Sequence, residues 1–282
     1  FYYQSLNRII TDFSGYWSSS LLSPNAVKPD SSHTLLAFGY DNAIYSTGAN
    51  DAKLTEQGVS FTPSSYRALP VATVFGNNPG GSVYLALAKK VDGSAAVANP
   101  STVSHLTVAS VLIDGVRGLD LGTGFTNLPS SANISFKING INLAAINDAE
   151  PDILLTQIAQ PVSGNDVFTL TDETGTQVGN SVTHNMVLLN PFGTYDLDLF
   201  NLTPNAPFTL ATAYSGAITN TNREIRVVAL KLSDFGITAG NYTQVKALKI
   251  TPSTNSDYAF IAYNTVSLNL PPNISQNPAK TN

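Results

Sequence analysis

The chain has 282 residues, of which 43% are hydrophobic and only 12% charged, with a net charge of −5 and no cysteine. That length holds one large β domain or two domains with a full core. The missing thiols exclude disulfides, zinc–thiolate sites, iron–sulfur clusters and cysteine catalysis. Lys and Arg are spread thinly, so no basic stripe exists to drive nucleic-acid binding. No apolar run reaches the roughly 18 residues of a membrane helix, so no transmembrane segment is expected. Ser, Thr, Asn and Gly must supply the polar surface, a composition common in extracellular β proteins.

The chain opens on Phe1 rather than Met, which reads as a removed signal peptide or a fragment of a longer chain. Residues 1–14 read as a first strand, or as an arm that docks on a neighbour through Phe1, Tyr2, Tyr3, Ile9, Ile10 and Phe13. A loop-like stretch then carries Tyr16 and Trp17, the sole tryptophan. Thr34–Tyr40 and Ala43–Ser46 are predicted strands, with Asp41–Asn42 as the hairpin turn. Ala52–Phe61, Tyr66–Phe75 and Val83–Lys89 are further predicted strands. Thr107–Leu112 suits a strand or a short helix, with a helix start at Pro100–Thr102. The glycine-rich run Ile113–Gly124 marks a domain seam.

Ile134–Ile138 alternates with period two. Asn147–Gly179 has a carboxylate-rich turn, then the runs Ile153–Ala159 and Val167–Leu170 joined by a turn at Pro161–Asn165. Gly193–Phe200 sets Tyr195, Leu197 and Leu199 on one face and Asp196 and Asp198 on the other. Phe208–Tyr214 is a short run. Glu224–Leu232 is nearly continuously apolar, as in a central strand covered on both faces. Val245–Ile250, Asp257–Tyr263 and Val266–Leu270 complete the strands, and Pro271–Pro272 stops pairing. Strands at this spacing, with Gly, Pro and Asn turns, predict an all-β fold of β-sandwich or jelly-roll type. The domains expected are 15–115, an N-terminal β domain, and 116–270, a jelly-roll-like sandwich, with 271–282 as a Pro/Asn-rich tail or linker.

No serine sits in a nucleophile elbow, and neither a zincin helix nor a phosphate loop is present. His33, His105 and His184 have no spacing that singles out a triad. Asp148, Glu150, Asp152, Asp172, Glu173, Asp196 and Asp198 offer pairs for glycoside hydrolysis, although such acids ordinarily face solvent. The same acids suit Ca²⁺ better, because Asn147, Asp148, Glu150 and Asp152 cluster hard oxygen ligands in one turn. Tyr16, Trp17, Tyr40, Tyr45 and Tyr66, with Asn42 and Asp51, combine stacking faces and polar groups suited to a glycan. Each of those aromatics is equally at home in a sheet core.

The phrases GYWSSS, SHTLLAFGYDNAIYSTGANDAKL, YRALPV, GLDLGTGFTNLP, EPDILLTQIAQP, REIRVVALKLSDFGI and SDYAFIAYN together resemble a module of secreted Bacteroidetes surface proteins. Those proteins are exported by type 9 secretion and are adhesins or gliding-associated proteins. The resemblance spans about residues 15–264. It implies a secreted, cell-surface, β-rich module with a structural or adhesive role, and it carries no active-site residues. The C-terminal sorting domain of such proteins is not found in the chain. The expectation is therefore a non-enzymatic, extracellular adhesin or filament-forming subunit that self-associates or meets a neighbouring surface protein. The alternative is a carbohydrate-binding module that meets surface glycans and belongs to a larger secreted protein.

Overall fold

A computed structural model describes residues 6–80, 83–88, 107–161, 164–208 and 214–271. Phe1, Tyr2 and Tyr3, the helix start expected at Pro100, His105 and the tail from Pro272 onward lie outside the described residues.

In chain order the first strands are β1 (Leu6–Thr11), β2 (Trp17–Ser20), β3 (Leu35–Tyr40), β4 (Ala43–Ser46) and β5 (Tyr66–Ala68). They are followed by β6 (Val71–Val74), β7 (Tyr84–Ala88), β8 (Thr123–Leu128), β9 (Ile134–Lys137) and β10 (Gly140–Ile141). Next come β11 (Ile153–Gln157), β12 (Asp166–Thr171), β13 (Gln177–His184), β14 (Gly193–Leu202) and β15 (Tyr214–Leu230). The last are β16 (Ala247–Thr251), β17 (Ser256–Tyr258), β18 (Ile261–Asn264) and β19 (Leu268–Asn269). Two short helices, α1 (Asp51–Glu56) and α2 (Val108–Val111), interrupt them.

The fold is all-β and layered. An eight-stranded sheet, ordered β17-β8-β7-β14-β15-β11-β18-β5, carries a five-stranded sheet, β13-β12-β16-β9-β6, on one face. Phe125, Phe200, Leu155 and Val228 of the large sheet meet Phe136, Phe168, Leu248 and Ile250 of the smaller one in a common core. On its other face lies a four-stranded sheet, β2-β1-β3-β4, where Ile9, Trp17 and Phe38 pack on Leu154, Tyr195, Leu197 and Val227. A pair of facing sheets with a shared apolar core is consistent with the sandwich expected. The third layer was not foreseen.

Covering on both faces explains β15. Val228 and Leu230 enter one core while Ile225, Val227 and Ala229 enter the other, so the strand reads as a continuous apolar run. Close approach also requires a glycine in β8. A Cβ on Gly124 would lie 2.4 Å from the Tyr258 carbonyl oxygen and 2.3 Å from Ile158 Cδ1.

Several expectations need correction. The seam at Gly115 and Val116 does not divide the sheets, because β5, β6 and β7 pair with β18, β9 and β14 from beyond it. Ala52–Phe61 is not a strand. Asn50 Oδ1 accepts the Lys53 amide at 3.1 Å and nucleates α1, which buries Leu54. Tyr66–Phe75 is two strands in different sheets, broken at Pro70, whose nitrogen has no proton to continue a ladder. Ile153–Ala159 and Val167–Leu170 are likewise not a hairpin, since β11 and β12 belong to different sheets. The ambiguous Thr107–Leu112 segment is helical, closed by a reciprocal Thr107–Ser110 capping box.

The arm reading of the N-terminus also changes. β1 pairs with both β2 and β3, and Ile9 and Ile10 are fully buried, while Phe13 packs its ring edge-on to His33 at 6.3 Å. Of the candidate assembly residues, these three are integral to the fold, so removing residues 1–13 would delete an interior strand.

Candidate functional site

The aromatic set proposed for a glycan does not converge. Trp17 is 3% exposed, with its indole Nε1 donating to the Val27 carbonyl at 2.9 Å. Tyr45 stacks on Phe38 at 5.9 Å, and Tyr66 sits edge-on to the same ring at 5.1 Å. Tyr66 is fully buried, and its hydroxyl donates to the Pro151 carbonyl at 2.5 Å. Tyr16 and Tyr40 are half-buried against core clusters. Asn42 lies on the β3–β4 turn, whereas Asp51 opens α1. Burial of Trp17 removes its face from any ring in solution, so Trp17 stacks on no glycan.

The acidic turn is divided in the same way. Asp148 Oδ1 accepts the Glu150 amide at 3.0 Å, while the Glu150 carboxylate accepts the Ser64 hydroxyl and lies 3.2 Å from the Tyr66 hydroxyl oxygen. Asp152 is fully buried, and its Oδ2 accepts the Leu232 amide at 2.6 Å. Asn147 is exposed. Each carboxylate is thus turned toward a different protein donor, and among the described residues no group of three or more His or acidic side chains could hold a metal ion.

Other acids are interior hydrogen-bond anchors. Asp166 accepts the Ser253 amide at 2.8 Å and the hydroxyls of Ser256 and Tyr258, both at 2.5 Å, which ties β12 to the opposite sheet. Gln157 bridges Asp257, to which it donates at 2.6 Å, and Arg226, from which it accepts at 3.0 Å. His33 lies between the rings of Phe13 and Tyr195, and His184 lies against Phe168.

Two of these acids titrate far from their usual range. Burial pushes both Asp152 and Asp257 up to about 7, partly offset by the Leu232 amide at Asp152 and by the Asn127 amide and Gln157 at Asp257. The folded chain therefore holds more protons than the unfolded chain between pH 3.8 and about 7, and unfolding free energy falls as pH rises through that window. Burial lowers the pKa of His33 and His184, which withdraws stability as pH falls below 6.5. Between about pH 8 and about pH 6.5 the carboxyls outweigh the histidines, and acidification should raise stability by a net of about 1 kcal/mol, a couple of degrees in Tm. Thermal unfolding across that interval measures it, and a melting temperature that falls on acidification would refute the assignment.

The outward face of the five-stranded sheet is built differently. Successive registers align Ser181 with Thr169, Thr169 with Lys249, Lys249 with Ser135, and Ser135 with Thr73. This row crosses all five strands, and four steps of ~4.8 Å make it about 19 Å long. Thr169 and Ser181 hydroxyls are 3.0 Å apart, and those of Thr73 and Ser135 are 2.5 Å apart. At the β6 end the row opens on a cleft of about 420 Å³ lined by Thr73, Phe75, Asn133, Ile134, Ser135 and Lys249.

Local structure explains the exposed ring there. The Phe75 amide donates to the Asn133 carbonyl at 3.0 Å, and Gly76, at φ +113°, turns the chain where a Cβ would strike the Ser131 carbonyl. Phe75 is left 65% exposed. Among the described residues the Lys249 side chain makes no hydrogen bond or ion pair. A second, more polar cleft of about 250 Å³ lies beside Arg223, Tyr84 and Asn127, but Arg223 Nη1 already donates to the Asn222 carbonyl. None of the residues at the Phe75 cleft stood out in the sequence, because they come from three separated strands and a turn.

No protein-family model matches the chain, and comparison with curated proteins and with solved structures returned no match. No helix among the described residues is long and apolar enough to cross a membrane.

Proposed function

We propose that the chain is a non-catalytic attachment module of the cell exterior, which holds polysaccharide on the outer face of its five-stranded sheet. The solvent-facing hydroxyl row ending at exposed Phe75 carries this reading. Hydroxyls and amides match the donors and acceptors of sugar hydroxyls, and an exposed ring matches the apolar face of a pyranose. The buried acids Asp120, Asp166 and Asp257, by contrast, are engaged on both oxygens by donors from the protein itself, which suits a scaffold. The resemblance to secreted Bacteroidetes surface proteins supports an extracellular setting and an adhesive role.

Retention of the intact chain on immobilised polysaccharides is the direct test, and failure to bind any of a charged and uncharged set would end the proposal. A second reading, self-assembly, is favoured by β13. This eight-residue edge strand contains no Lys, Arg, Asp, Glu or Pro, the residues that usually protect an edge. The turn at Leu232–Phe235 covers its Gly179 region, where a Cβ would meet the Phe235 carbonyl. Light scattering against concentration, with and without Ca²⁺, separates the readings: mass that grows into ordered assemblies favours a structural subunit, and a persistent monomer favours attachment.

A further inference from the structure

We infer that the cleft at Phe75 and Lys249 selects an acidic polysaccharide, one whose rings carry carboxylates, over a neutral one; this rests on the attachment reading above. Its volume of about 420 Å³ suits one to two sugar rings, within the range of small-ligand sites. Phe75, 65% exposed and part of the lining, offers a flat apolar surface to one face of a pyranose. Thr73, Asn133 and Ser135 supply hydroxyl and amide partners in its lining.

Charge decides the class of sugar. The chain is acidic overall at −5, yet this face carries Lys249 and Lys137 and no carboxylate in its cross-strand rows. The two lysines stand one strand apart and two residues apart in register, since Lys249 faces Ser135 and Lys137 faces Ala247. From strand geometry their Cα atoms are about 8 Å apart. Among the described residues neither makes an ion pair within the chain, so each ammonium is available to a carboxylate from outside. Local positive charge on an acidic protein favours an anionic chain by complementarity and discourages adhesion elsewhere on the surface.

The experiment is equilibrium binding of the full chain to oligogalacturonate, to uncharged dextran and to polyglutamate. Wild type, Phe75→Ala, Lys249→Gln and a remote control, Lys28→Gln, are compared after thermal unfolding has verified their folds. The expected result is preference for oligogalacturonate, weakened by added salt and reduced at least about tenfold by either cleft variant but not by the control. Equal binding of polyglutamate would overturn the sugar assignment, because no ring would then be needed at Phe75. Binding of dextran as strong as oligogalacturonate would overturn the charge selection and leave attachment standing. Oligogalacturonate binding untouched by Phe75→Ala and Lys249→Gln would overturn this cleft alone. Failure of both saccharides to bind would overturn the attachment reading itself.

Discussion

Arg226→Met should destabilise the protein by about 2–4 kcal/mol, because it strands buried partners, while Glu224, 32% exposed, can turn to water. The side chain is only 5% exposed. Its Nε donates to the Leu189 carbonyl at 2.8 Å, Nη1 to Gln157 at 3.0 Å and Nη2 to Glu224 at 2.6 Å. Methionine fills much of the volume but leaves a backbone carbonyl, an amide oxygen and a carboxylate without their donor. Gln157 also donates to Asp257, so disorder at Arg226 would spread toward β17. Arg226→Lys should recover little, because one ammonium cannot reach the three directions served by the planar fork. Chemical denaturation measures both variants. A loss below about 1 kcal/mol for Arg226→Met would mean the network is not under this demand.

Asp120→Ala should cost about 3 kcal/mol or more, while Asp120→Asn should cost about 1 kcal/mol. Asp120 is 2% exposed, and its Oδ1 accepts the amides of His33 at 2.9 Å and Gly122 at 2.8 Å. Its Oδ2 accepts the hydroxyls of Ser32 at 2.7 Å and Thr123 at 2.9 Å. Alanine abandons four donors at once. Asparagine keeps one oxygen for the two amides, and its NH₂ can donate to hydroxyls that rotate to accept. The contact joins the entry to β3 to the start of β8, and so holds the four-stranded sheet on the large one. Calorimetric unfolding of Asp120→Ala is the check. Equal losses for the two variants would show that charge, not hydrogen-bond geometry, sets the cost.

Much of the local structure was legible in the residues. Alternation marked β9 and β14, the continuous apolar run of β15 marked a strand covered on both faces, and Asp41–Asn42 marked a hairpin that forms with Asp41 at φ +50°. The errors have physical causes. Asn50 capping turned an expected strand into α1, and Pro70 split another between two sheets. Tyr–Trp and Asp–Glu clusters look the same in sequence whether they face solvent or fill an interior. Trp17 and Asp152 proved to be interior.

By itself the sequence determined the all-β class, the lack of thiol chemistry and most of the faces on which side chains alternate, because these follow from composition and from a two-residue period within each strand. Which strands become neighbours was decided only by tertiary structure. The row from Ser181 through Thr169, Lys249 and Ser135 to Thr73 draws on five strands scattered over more than half the chain. No local pattern records that alignment. It follows from the burial of Phe136, Phe168, Leu248 and Ile250 on the inner face, which fixes the register and thereby sets the hydroxyls and the lysine side by side on the outer one.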